Sequence, residues 1–315
     1  MDFSVIIPAK NEQKYLGLCL QSLSQLDYPR EAYEVLVIDN GSTDKTVEIA
    51  QQYGAQVFVR PELTIAGLRN LGASHAQGRF LVFLDADCTV VSDWFTAASG
   101  WLEQADVCCF GGPPEVPEEG TWVQHTWFMV RGKHHLVEDV EWLESMNMFV
   151  RKEIFDRVHG FDETLTTCED YDLSLRLRPY GRIVADKRIR AVHHGEAATL
   201  GHFFRKECWR GVSNISGLIR HGFRLRELPS LFAPVAFLLC LVVTIVALAV
   251  SVAKGGWPAI CFFVVFLLGW QAPIFLLAML KGKTSPSCQQ RLGLYLLLNV
   301  YFMARGVALL RGWRR

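Results

Sequence analysis

Two long stretches without a formal charge constrain this chain more than any other feature. Leu228–Ala253 and Gly255–Leu280 each run 26 residues with no Asp, Glu, Lys or Arg. A helix of that length reaches about 39 Å, against a hydrocarbon layer about 30 Å thick. Both stretches predict membrane spans, at about 230–253 and 257–280. A third apolar segment, 292–310, contains Arg305. It either spans or lies in the interface with Arg305 reaching toward water. Residues 229–315 hold eight Lys/Arg and no acid, which leaves 24 basic and 32 acidic residues in 1–228, a net of −8. The expected organisation is a catalytic-type domain over 1–228 and a membrane domain over 229–315. An acidic main domain argues against general nucleic-acid binding.

Charge around the spans predicts their orientation. Arg220, Arg224 and Arg226 precede the first, Lys281, Lys283 and Arg291 follow the second, and only Lys254 lies between them. The positive-inside rule then puts the N-terminal domain in the cytoplasm, as in a multi-pass protein of a bacterial inner membrane. The opening Phe3-Ser4-Val5-Ile6-Ile7 reads as a strand, not as a secretory signal. Nine cysteines without a CxxC pair read as cytosolic thiols used as small apolar residues.

The first hundred residues alternate between strand and helix patterns. Strands are predicted at 3–7, 34–39, 55–59 and 80–84, and helices at about 12–25, 43–53, 64–76 and 92–103, with Ser42 or Thr43 capping the second helix. Such βαβ units imply a mostly parallel sheet flanked by helices. Neither a G-x-G-x-x-G fingerprint nor a Walker A loop follows a strand. Residues 113–146 look irregular. Helical patterns return at 151–158 and 170–178. Residues 199–226 form an amphipathic interfacial region, a helix over 199–222 with six basic residues and one acid between 205 and 226, suited to anionic headgroups.

Three strand ends carry polar groups. The apolar run Phe80–Leu84 ends in Asp85-Ala86-Asp87, the first strand ends in Pro8-Ala9-Lys10-Asn11-Glu12, and the second ends in Asp39. In open α/β sheets ligands bind at the carboxyl edge. Two acids one residue apart suit Mn²⁺ or Mg²⁺, and such a cation usually serves a diphosphate. Turns also collect aspartates, so each site alone is weak; their joint placement favours a nucleotide crevice. Arg69, in Leu68-Arg69-Asn70-Leu71-Gly72, is either an exposed helix arginine or a contact for a diphosphate.

The order Val5–Glu12, Val37–Asp44, Arg69–Gly72, Phe83–Asp87, Asn147–Arg151, Gly160–Glu163 and Glu169–Asp172 resembles glycosyltransferase family 2, with its GT-A fold, over roughly residues 3–212. The resemblance implies a membrane-anchored, inverting, metal-dependent transferase that uses a nucleotide diphosphosugar and a lipid or lipid-linked acceptor. It implies nucleoside recognition by Asp39 with Pro8, Lys10 and Glu12, and a metal and sugar-nucleotide pair in Asp85 and Asp87. It implies a catalytic base in Asp170, and a late metal-ligating histidine for which the spacing favours His194 over His193. Glu169, Trp209 and Arg210 match the acceptor or diphosphate side. Read without the family, Glu169 and Asp170 are acids in the first turn of a helix.

The sequence also departs from the family pattern. Processive members carry Q-x-x-R-W, whereas this chain reads Arg205-Lys206-Glu207-Cys208-Trp209-Arg210-Gly211. A single-addition enzyme is expected. A base suits a hydroxyl acceptor better than a polyprenyl phosphate, which is already anionic. Two further alternatives are a sugar nucleotidyltransferase, which usually carries a glycine-rich loop after the first strand, and a non-catalytic membrane scaffold.

Overall fold

A computed structural model of the chain describes residues 1–131, 135–212, 228–254, 257–282 and 287–312. Contacts divide the chain into two units, Met1–Glu118 with Gly132–Glu196, and Glu119–Arg131 with Ala197–Arg315. Residues 119–131 and 197–212 thus group with the C-terminal helices, where the sequence reading kept all of 1–228 with the sheet.

The first unit runs β1 (Phe3–Ala9), α1 (Leu16–Ser24), β2 (Tyr33–Asp39), α2 (Thr46–Gln52), β3 (Gln56–Val59), α3 (Ile65–His75), β4 (Phe80–Leu84), β5 (Cys88–Val90), α4 (Trp94–Ser99), β6 (Val107–Gly111) and β7 (Pro114–Glu115). After α5 (Trp122–Arg131), which belongs to the second unit, it resumes with β8 (Val137–Asp139), β9 (Asn147–Arg151), α6 (Lys152–Arg157), α7 (Glu169–Leu177), β10 (Arg182–Asp186) and β11 (Ala191–His193). Eight strands form one sheet in the order β3-β2-β1-β4-β9-β6-β10-β8, and β5-β11-β7 form a smaller one. Strands β3, β2, β1 and β4 are parallel, whereas β9 runs antiparallel between β4 and β6.

The pleat sorts each strand between two cores. Phe3, Val5, Ile7, Phe80, Val82 and Leu84 face α1 and α4, while Ile6, Leu36, Ile38, Leu81 and Phe83 face α3, α6 and α7. Close approach of α3 depends on Gly72, where a Cβ would meet Ile6 Cγ2 at 2.4 Å. Pro8 is tolerated because β4 pairs with β1 only through Phe3–Ile6, leaving Pro8 beyond that ladder. The second helix starts at Thr46, later than expected. Ser42 turns its hydroxyl to Asp39, and Asp44 instead accepts from Thr46 N at 3.0 Å.

In the second unit, α5 and α8 (Leu200–Arg210) accompany α9 (Leu228–Lys254), α10 (Trp257–Lys281) and α11 (Cys288–Gly312). The last three helices are each long and apolar enough to cross a membrane. The segment expected to be irregular, 113–146, therefore contains a ten-residue helix, α5. Arg305 does not reach for water: it pairs with Glu207 at 2.8 Å, and Glu207 also receives Arg210 at 2.7 Å. Leu294 and Leu298 of α11 pack with α9 and α10, whereas Leu297 packs with Phe203 of α8 and Val123 of α5. The orienting charges Arg220, Arg224, Arg226 and Lys283, and the interfacial region beyond residue 212, lie outside the described residues.

Candidate active site

Two loops at the carboxyl edge of the sheet brace one another. Asn40 N donates to Ala9 O, and Lys10 Nζ donates to Asn40 Oδ1 at 2.8 Å. Asn11, in the left-handed region at φ 55°, takes Ser42 Oγ on its N–H and offers Oδ1 to Thr43 N. Glu12 N donates to Thr46 Oγ1 and Gln13 N to Asp44 Oδ2. Asp39 closes β2 fully buried and accepts from Ser42 N at 2.8 Å and from Ser42 Oγ. Lys10 and Glu12 thus sit on one braced double loop, with Pro8 and Asp39 in the ends of β1 and β2 that lead into it.

Strand β4 stops at Leu84 and presents Asp85 and Asp87. The histidine beside Asp87 is His193, not His194: His193 Nε2 lies 3.2 Å from Asp87 Oδ2. Strand alternation is the reason. His193 ends β11 opposite Cys88 of β5, and His194, the next residue, turns away to Thr89 Oγ1 at 2.9 Å and stacks on Tyr15. The sequence holds no signal for that register.

Donor atoms of Asp87, Cys88 and His193 all lie within 4.8 Å of one another. Burial, then the charges of Asp87 and Asp85, hold the free Cys88 thiol well above its ordinary pKa. The hard carboxylate oxygen of Asp87 and the imidazole nitrogen of His193, with Asp85 two positions before Asp87 in the chain, make a set suited to Mn²⁺ or Mg²⁺. Gly195 leaves the space open: a Cβ there would stand 1.7 Å from Asp87 Oδ2. Burial, then Asp87, Asp85 and Asp44, push Glu12 up to about 7, a sign of concentrated negative charge. By these tests the residues present fit a divalent cation.

Arg69 is not an exposed helix arginine. It is 3% exposed and joins both halves of the site, Nη2 to Asp85 Oδ1 at 3.0 Å and Nη1 to Glu169 Oε1 at 2.7 Å. Its position on α3, against the sheet, buries it. Asp170 follows Glu169 in the first turn of α7. Cys168 just before them takes a left-handed backbone, φ 67°, which costs a non-glycine residue about 1–3 kcal/mol and fixes how the two acids enter the helix. Burial, then the charges of Glu169 and Glu144, raise Asp170 to about 7. Glu144 and Arg69's bridging role escape sequence reasoning because both depend on tertiary neighbours. Trp209, 52% exposed, and Arg210 lie on α8 in the second unit.

The model described as glycosyl transferase family 2 matches residues 4–164, just over half of the chain. The chain belongs to that family. It is similar to the glycosyltransferase AglE of Haloferax volcanii, 30% identical over 187 residues, which are 56% of this chain and 62% of AglE. It is also similar to β-monoglucosyldiacylglycerol synthase of Nostoc sp., 26% identical over 192 residues, 55% of this chain and 40% of that enzyme. Both matches take in less than two thirds of the relative's length. In structure it is similar to the mannosyltransferase PcManGT from Pyrobaculum calidifontis, solved with GDP-Man and Mn²⁺, at a TM-score of 0.65 and 20% identity, covering 97% of this chain and 86% of that one. That likeness gives the chain a GT-A-like sheet with flanking helices, followed by three C-terminal apolar helices.

Proposed function

We propose that this chain is an inverting glycosyltransferase. It moves a sugar from a nucleotide diphosphosugar to a hydroxyl of a lipid or lipid-linked glycan at the cytoplasmic face of a membrane. The observation that carries the reading is the set of acids at the carboxyl ends of parallel strands, Asp39 after β2 and Asp85 and Asp87 after β4, with His193 against Asp87 and with Arg69 linking Asp85 to Glu169 next to Asp170. The relatives add support: one is a synthase named for a diacylglycerol lipid, and the similar structure was solved with a nucleotide sugar and Mn²⁺.

In this reading the double loop with Asp39, Pro8, Lys10 and Glu12 holds the nucleoside. Asp87, His193 and Asp85 would hold the cation. A bound divalent cation supplies neutralisation of charge on the departing diphosphate. Asp170 accepts the proton of the acceptor hydroxyl. The hydroxyl oxygen bonds to the anomeric carbon as the bond to the diphosphate oxygen breaks, and the electron pair leaves with the nucleoside diphosphate. Attack opposite the leaving group inverts the anomeric configuration. A carboxylate raised to about 7 is matched to this role, since it is basic enough to take a proton while about half of it is ionised at neutral pH.

The test is a nucleotide-sugar panel with the membrane-embedded chain and Mn²⁺ or Mg²⁺, following released nucleotide. Turnover with one donor, lost in Asp170→Asn, is expected. Undiminished transfer by Asp170→Asn refutes the assigned base, and failure to bind any nucleoside diphosphate favours the scaffold reading.

A further inference from the structure

The loop 140–146, between β8 and β9, lies over the N-terminal half of α7. Leu143 is buried and donates its N–H to Ser174 Oγ at 3.4 Å. On its near side Trp142 meets Tyr171 edge-on, ring centroids 6.1 Å apart at 81°. Trp142 nonetheless stays 36% exposed, beside the residue that follows Asp170. On its far side Glu144 acts on Asp170 by its charge. An exposed, propped indole thus stands next to a patch of carboxylates.

We propose that Trp142, supported by Tyr171, is a stacking platform for a pyranose ring of the acceptor, so that the attacking hydroxyl belongs to a sugar. This deepens the reading of Asp170 as base and rests on it. A pyranose has an apolar C–H face for the indole and hydroxyls on its rim for carboxylates to accept. Charge separates it from the rival class, a polyprenyl phosphate. Such an anion would meet Glu141, Glu144, Glu169 and Asp170. Among the described residues, Arg69 is engaged with Asp85 and Glu169, Arg176 with Asp172, and Arg178 with Glu141 at 3.9 Å. Like charges repel.

The experiment uses the full chain in detergent micelles with Mg²⁺ and a nucleoside diphosphate. Saturation-transfer NMR reads binding of methyl β-glucoside, methyl β-galactoside and methyl N-acetyl-β-glucosaminide, with geranylgeranyl phosphate as competitor. At least one glycoside is expected to bind through its ring C–H protons. Trp142→Ala should weaken it about tenfold, Trp142→Phe should restore part of the loss, and nucleotide binding should not change. Glycoside binding unaffected by Trp142→Ala overturns the platform. So does binding of no glycoside while nucleotide still binds, or Trp142-dependent binding of the prenyl phosphate. Loss of nucleotide binding in the unmodified protein would instead sink the broader reading.

Discussion

Replacing Gly195 by alanine separates the fold from the metal site. The new Cβ would stand 1.7 Å from Asp87 Oδ2 and 2.8 Å from Cγ, but 3.4 Å from the Asp87 Cβ, an ordinary contact. To reach 3.4 Å the carboxylate oxygen must withdraw by 3.4 − 1.7 = 1.7 Å. Rotation of the Asp87 side chain is enough, at about 0.5–1.5 kcal/mol for an off-rotamer position. Gly195 is not among the positive-φ glycines, so its backbone accepts alanine without strain. The same rotation breaks the 3.2 Å approach of Asp87 Oδ2 to His193 Nε2. Misplacing one metal-directed oxygen should cost about 10–100-fold in metal affinity, on the scale of disturbing a supporting partner. Titration of Mn²⁺ by electron paramagnetic resonance reads the free ion, and thermal unfolding of the same sample reads the fold. The expected outcome is weakened Mn²⁺ binding with the melting temperature changed by a few degrees at most. A folded variant that binds Mn²⁺ like the parent would refute the assignment of Asp87 and His193.

Activity should fall as the pH drops through about 7, because Asp170 is a base only when ionised and its pKa is raised to that region; a kcat profile without an acidic limb counts against it. Glu12 binds its proton more tightly folded than unfolded, so in the metal-free protein its contribution to stability is full below about 4.5 and lost as the pH rises through about 7. Melting temperatures at pH 5 and 8 measure this, and adding Mn²⁺ should narrow the gap. Arg69→Met leaves the Asp85 and Glu169 carboxylates facing a neutral group and should cost about 3–5 kcal/mol, read by denaturant unfolding. Glu207→Ala strands two partly buried arginines and should cost a similar about 3–5 kcal/mol; an unchanged melting temperature would show that the triad adds nothing.

The sheet edge was legible in the sequence because its strands are short apolar runs that end in acids, and a buried parallel strand needs no other pattern. Phe80–Leu84 followed by Asp85 is the plainest case. Strand β9 was not legible as the antiparallel neighbour of β4, since Asn147–Arg151 carries no mark of direction. The His193 and His194 choice turns on a one-residue register, and strand side chains change face at every residue. Arg69 read either as an exposed helix arginine or as a diphosphate contact, because helix arginines are usually exposed. Its burial comes from Asp85 and from Glu169, which lies 100 residues away. Helix α5 hid in a segment rich in Trp and His, whose apolar face becomes intelligible only against α11.

The pairing of Glu207 with Arg305 also bears on how the chain is made. The two residues are 98 positions apart, and Glu207 is synthesised first. At about 5–20 residues per second the ribosome needs roughly 5–20 s to deliver Arg305 after Glu207. During that interval α9 and α10, long and apolar enough to cross a membrane, are made while α8 still lacks the cation on α11 that will face its acid. Until then the acid has only Arg210, three residues on, as its partner, so α8 should close onto the helical bundle last. Assembly of this unit is thereby timed by its final helix, and a ribosome stalled before Arg305 would leave an unfinished protein for membrane quality control to find.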